Sequence, residues 1–279
     1  MKKRNFTKED EGVAGVIEAL LMVALVAIVI STIQLIYIPQ VMNQREAEHM
    51  DTVSNQFSYL KSMIDIQSMT GSNAPVFSMI TLGSRELPYF VTARAFGELY
   101  IVNSEQYRIE ILASQTPFPV HLTSITYDAY NSYFVDQTYV LEGGGIIVMQ
   151  PDGKSVMRVD PAISYTIDGT KVIIHFDLPV FSSAPGKNST EGYGKCVIRT
   201  NYSGDDPEQT PINITNYIRI YTKYLNAWHE SLNNSLGTVV NITPGSNYIE
   251  ITQLPGGKHI YLDFRRIYIH VQIGPGWVI

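Results

Sequence analysis

The chain has 279 residues and one cysteine, Cys196, so no intrachain disulfide framework can form. A chain of this length can bury one large core or two small ones without such staples. Cys196 lies in Lys195-Cys-Val-Ile-Arg199, which alternates like a strand, and reads as an inert buried thiol. Charge is sparse too: charged residues make up 16% of the chain and the formal net charge is −6. Met1–Gly12 carries four bases against three acids, so the rest of the chain is −7. That acid excess argues against nucleic acid or anionic lipid as the main ligand. Gly-x-Ser-x-Gly, phosphate-loop, dinucleotide-glycine and His-Glu-x-x-His patterns are all missing. The six histidines, His49, His121, His175, His229, His259 and His270, have no metal-ligand spacing. The expectation is therefore a non-enzyme without cofactor or metal. Gly204-Asp-Asp-Pro-Glu208 offers clustered oxygens that suit calcium, but reads first as a solvated acidic loop.

What the chain does have is one long apolar run. Val13–Ile38 contains a single charge, Glu18. As a helix it is about 39 Å long, against a hydrocarbon core of about 30 Å. It is too long for a secretory h-region and no Ala-x-Ala site follows, so it is expected to span a membrane. The bases of the leader place the N-terminus in the cytoplasm and everything after Pro39 outside. Pro39 lacks a backbone donor and predicts a kink.

Beyond Pro39, Met50, Val53, Phe57, Leu60 and Ile64 recur at alternating steps of three and four. Arg45, Glu46, Glu48, Asp51, Lys61 and Asp65 take the other positions. This stripe needs cover, either from the chain's own globular part or from other copies of the helix. It fades at Thr70-Gly-Ser-Asn-Ala-Pro75, a turn-rich break.

From Val76 the chain is rich in Val, Ile, Tyr, Thr and Gly, with turn signals between short alternating runs. Predicted strands include Leu87–Ala93 and His121–Tyr127, then Tyr133–Leu141 and Ile146–Gln150 joined as a hairpin through Glu142-Gly-Gly-Gly145, and Ile163–Thr166 and Lys171–Phe176 joined at an Asp168-Gly169 turn. At the C-terminal end they include Tyr248–Gln253, His259–Phe264 and Ile267–Ile273, with a short helix over Thr222–Leu232. The expected fold is α+β: a long N-terminal helix (13–69), then a mainly antiparallel β-region (76–279) forming a sandwich or partly closed barrel, as one domain or two.

Five Asn-x-Ser/Thr sequons cluster at Asn188, Asn201, Asn213, Asn233 and Asn241, and predict an exposed, N-glycosylated face over 188–243. Tyr217, Tyr221, Tyr224 and Trp228 read as β-core packing or as a sugar-stacking surface.

The segment Gly12-Val-Ala-Gly-Val-Ile-Glu-Ala-Leu-Leu-Met-Val-Ala24, after a short polar leader, resembles the class III signal peptide and helix of archaeal type IV pilin-like proteins, a class that includes archaellins and adhesion pilins. The resemblance covers about the first sixty residues. It implies that a prepilin-type peptidase cuts between Gly12 and Val13, removing residues 1–12. It also implies that the retained helix packs with copies of itself or with other pilin-like subunits in a surface filament, where Glu18 pairs with a neighbour's new N-terminal amine. The stripe from Met50 to Ile64 would extend that packing beyond the membrane. Two positions depart from the pattern: Glu11 stands where a base is commoner, and Glu18 would be sixth, not fifth, in the mature chain. The other reading is an uncleaved single-pass anchor presenting a surface glycoprotein that acts as a binding module.

Overall fold

The computed structural model of the chain describes residues 7–87, 94–113, 118–151, 153–207 and 211–276. It shows an α+β chain. Helix α1 (Thr7–Thr32) runs through one π-turn at Ile33–Tyr37 into helix α2 (Ile38–Thr70). In the π-turn the Ile38 N–H reaches back to the Ile33 carbonyl. Pro39, in the first turn of α2, has no N–H to offer, and the wider turn just before it absorbs the misfit that the sequence predicts as a kink. Helix α2 stops at Gly71, whose left-handed conformation (φ 60°, ψ 24°) suits the missing side chain.

Three sheets follow, their strands numbered along the chain. The first runs β1 (Val76–Thr81), β12 (Lys195–Pro207), β17 (His259–Ile273), β10 (Lys171–Ser183), β9 (Ile163–Asp168), and β13 (Ile212–Ile214) also pairs with β17. The second runs β11 (Ser189–Gly192), β2 (Phe96–Val102), β5 (Ser124–Tyr130), β6 (Gln137–Glu142), β7 (Gly145–Met149), β8 (Val156–Val159). The third runs β15 (Val240–Pro244), β16 (Tyr248–Gln253), β14 (Ile218–Tyr221), β3 (Arg108–Ile111), β4 (Phe118–His121). Helix α3 (Leu225–Leu236) packs against β8, β9, β15 and β16. Pairing is antiparallel except between β10 and β17, which run parallel from Lys171↔His259 to Ser183↔Val271.

The long strands serve two cores. Along β10, Val172, Ile174, Phe176 and Leu178 are buried, and then Pro179 and Phe181. Along β17 the buried hydrophobic residues are Ile260, Leu262 and Phe264, and then Ile267, Ile269, Val271 and Ile273. Side chains alternate faces along a strand, so this change from even to odd positions means that opposite faces of the sheet are buried at its two ends. The even set joins α3 and the third sheet in a distal core around Trp228. The odd set joins α2, β1 and the second sheet in a proximal core around Phe57 and Tyr127.

The switch itself is polar. Arg265 forks onto Asp177 (2.6 and 3.0 Å) and also faces Asp205 (3.6 Å), while Arg266 pairs with Asp206. Strand β17 is continuous through these two arginines, where the sequence predicts a break between two strands. Asp205 and Asp206 belong to β12, so the segment expected as an acidic loop is a strand whose carboxylates are engaged by arginines. Glu208 and most of the predicted strand Leu87–Ala93 lie outside the described residues.

Candidate functional site

The helix divides sharply at Ile38. From Ala14 to Tyr37 its side chains stand clear of the rest of the chain, Leu20 at 64% exposure and Leu35 at 76%. This half is apolar all round and has no polar face to present to water, and it is long enough to cross a membrane. Glu18 is exposed on one flank with Ile17, Leu21 and Leu25. Gly12 and Val13 lie inside α1, with helical backbone on both sides of the expected cut.

Below Ile38 the helix is sealed. Met50, Val53, Phe57, Leu60 and Ile64 are between 0 and 2% exposed, covered by the chain's own β-domain. The expectation that this stripe extends contacts between helix copies is therefore corrected: α2 packs on β1, β12, β6 and β7, and no apolar face of the stripe is left over. Phe57 sits between Tyr139 (ring centroids 5.8 Å apart) and Tyr127 (6.5 Å).

Three buried polar residues lock the same face. Glu46, read from the sequence as a solvent-side charge, is fully buried. Met42, Glu46 and Met50 are one turn apart, so spacing alone puts it on the stripe. Its carboxylate accepts the backbone N–H groups of Ser132 (3.0 Å), Tyr133 (2.7 Å) and Phe134 (2.7 Å) in the β5–β6 loop. Asn43 donates to the Tyr133 carbonyl (2.8 Å) of the same loop. His49 meets the Tyr127 hydroxyl (3.1 Å), which itself donates to the Leu82 carbonyl (2.7 Å). The Tyr127 oxygen is thus left to accept, so His49 carries its proton on Nε2. Burial pushes the His49 pKa down to about 4, the hydrogen bond to Leu82 opposing this, so the ring is neutral at pH 7. Near the far end, Gln67 donates to the Ala74 and Thr200 carbonyls (both 3.0 Å) and accepts from the Thr200 hydroxyl (2.8 Å). The helix is bolted to the domain at both ends of the stripe.

The remaining candidates separate by location. Asn188, Asn213, Asn233 and Asn241 are exposed, while Asn201 is half-buried in β12 and accepts from Arg199 (3.0 Å). Asn201 lies opposite His270 and Asn213 opposite Tyr261, so these two sequons sit at different levels along β17. Tyr224 and Trp228 are core residues. Tyr217 and Tyr221 lie on the outer face of the third sheet, but Arg219 (3.8 Å) and Arg108 (4.2 Å) stack on their rings. Cys196 is buried, and burial pushes its thiol pKa up. His175 bonds Asp263 (2.8 Å) and Thr166 (3.0 Å) on an open sheet face. Among the described residues no group of three His, Cys, Asp or Glu could hold a metal ion.

A second buried acid, Glu142, carries no signal in the sequence. Glu142, at the β6–β7 turn, accepts from the Thr222 hydroxyl (2.7 Å) and the Trp228 indole (2.9 Å). Burial raises its pKa to about 7 and the two hydrogen bonds hold it back. Gly143 (φ 57°) follows directly against the Trp228 ring, where an added Cβ would come within 2.6 Å. Glu142-Gly-Gly-Gly145 was legible as a hairpin turn, but not as the wedge that joins the two cores.

No known protein family, curated protein or solved structure matches the chain.

Proposed function

We propose that the chain is a structural subunit of a cell-surface filament of the archaeal type IV pilin-like kind, a minor or adhesive subunit included, that assembles through residues 14–37. The observation that carries this reading is the contrast along one helix: the half above Ile38 is apolar and bare, while the stripe below is sealed beneath the β-domain. The upper half needs a partner along its whole length. Lipid satisfies it before assembly, and copies of the same helix satisfy it afterwards. Lipid tails are as apolar as leucine, so association depends on close packing. Gly15 with Ala19, and Ala27 with Ser31, offer small residues one turn apart. The bolts at Glu46, His49 and Gln67 make helix and domain one lever, so packing of the helices fixes the positions of the domains outside. A contact that joins unlike surfaces does not close on itself, and a filament follows. The exposed sequons would carry N-linked glycans on that outer surface.

A second reading, an uncleaved anchor presenting the β-domain as a binding module, draws on the helical backbone of α1 on both sides of Gly12. Proteolysis favours exposed, irregular backbone, and the expected cut lies within a helix. The N-terminal peptide of the protein from its native surface separates the two. A chain beginning at Val13 or Ala14 supports the subunit, and a chain beginning near Met1 overturns it in favour of the anchor.

A further inference from the structure

The face of the second sheet that covers the proximal core is wider than the helix lying on it. Tyr139, Val148 and Val156 stand opposite one another across β6, β7 and β8. Helix α2 seals Tyr139 to 5% exposure but leaves Val156 at 51%. The uncovered strip forms a groove of about 440 Å³ between α2 and β8. That volume is in the range of small-ligand sites.

The groove has an apolar floor and a polar rim. Lys154 and Arg158 stand exposed on one side, and among the described residues neither is paired with a carboxylate. By contrast Arg108, Arg219, Arg265 and Arg266 all hold carboxylates. On the helix side, Asp51 and Ser54 face them. Gln137 accepts from the Tyr139 hydroxyl (3.2 Å), which leaves its amide NH₂ to donate, and Gln150 adds a second side-chain amide.

We propose that this groove binds an acidic sugar residue of the uronate class. A pyranose ring has an apolar C–H face, which fits Val148 and Val156, and a hydroxyl edge, which fits Asp51, Ser54 and the two amides. Its carboxylate takes the Lys154 and Arg158 cations through charge-assisted hydrogen bonds. Bare phosphate would use the cations and leave the apolar floor empty. The site does not depend on whether copies of the chain assemble.

The test uses the full chain in detergent micelles, titrated with tetragalacturonate, maltotetraose and inorganic phosphate by calorimetry. Tetragalacturonate is expected to bind and maltotetraose to bind at least about tenfold more weakly, as loss of a charge-assisted pair implies. K154Q and R158Q are each expected to weaken tetragalacturonate about tenfold, while K223Q, at an exposed lysine elsewhere, leaves binding unchanged. Both groove side chains are exposed, so unchanged tryptophan emission will report an intact fold. Absence of tetragalacturonate binding overturns the proposal. So does equal binding of maltotetraose, binding of phosphate as tight as that of the oligosaccharide, or indifference to both groove substitutions.

Discussion

Replacing Glu142 by Gln should change how folding stability depends on pH more than it changes stability at any one pH. Glu142 has a folded pKa raised from 4.5 to about 7 by burial. The folded state therefore holds a proton that the unfolded chain gives up, and stability falls as pH rises from 4.5 to 7. The loss is about 3 kcal/mol. His49 acts in the opposite sense. Its pKa falls from 6.5 to about 4 on folding, so its contribution is present above pH 6.5 and is lost as pH falls toward 4, again about 3 kcal/mol. Between pH 4.5 and 6.5 the two slopes oppose each other and the wild-type profile from these two groups is nearly flat. Glutamine keeps an oxygen to accept from Thr222 and Trp228 but cannot titrate. E142Q should thus match wild type below pH 4.5 and gain up to about 3 kcal/mol by pH 8, exposing the His49 slope. Urea unfolding in micelles at half-unit steps from pH 4 to 8, followed by tryptophan emission, reads this directly. A stability difference between E142Q and wild type that is the same at every pH would refute the reasoning.

Phe57→Ala should destabilise the folded protein by about 3–5 kcal/mol, because the fully buried ring packs between α2 and both proximal sheets. Chemical denaturation measures it. Glu46→Gln places an amide N–H against backbone donors and should cost about 1–3 kcal/mol. Its signature is faster hydrogen exchange at Ser132, Tyr133 and Phe134, with exchange in the distal core unchanged. Gly143→Ala combines a left-handed backbone with a clash on Trp228 and should cost at least about 2 kcal/mol. A red shift of the tryptophan emission should accompany the lowered unfolding midpoint.

The helix, its stripe and its end were legible because each obeys a local rule: an unbroken apolar run, a three-and-four spacing, and a glycine where the chain must turn left-handed. What covers the stripe was not legible, since spacing shows that a face needs a partner without saying which. Glu46 illustrates the limit. A carboxylate on a buried face makes sense only once three N–H groups from a loop some 86 to 88 residues away arrive to meet it. The short hairpin β6–β7 and the Asp168-Gly169 turn followed from local chemistry. The β10–β17 pair did not, because parallel strands 88 residues apart leave no turn signature. The break placed at Arg265-Arg266 was a real signal wrongly interpreted. Alternation changes phase there, but through a switch of buried face within one strand, not through a turn. His121–Tyr127 likewise spans the end of β4 and the start of β5.

The measurement that bears most directly on assembly through residues 14–37 is a cysteine cross-linking scan of the protein in its native membrane. Single substitutions from Val16 to Tyr37 are compared with Val53→Cys, with the buried Cys196 left in place. Disulfide-linked dimers at positions along one face of the exposed half, with none at Val53, are the expected result. Dimers at Val53, or none anywhere between Val16 and Tyr37, would contradict it.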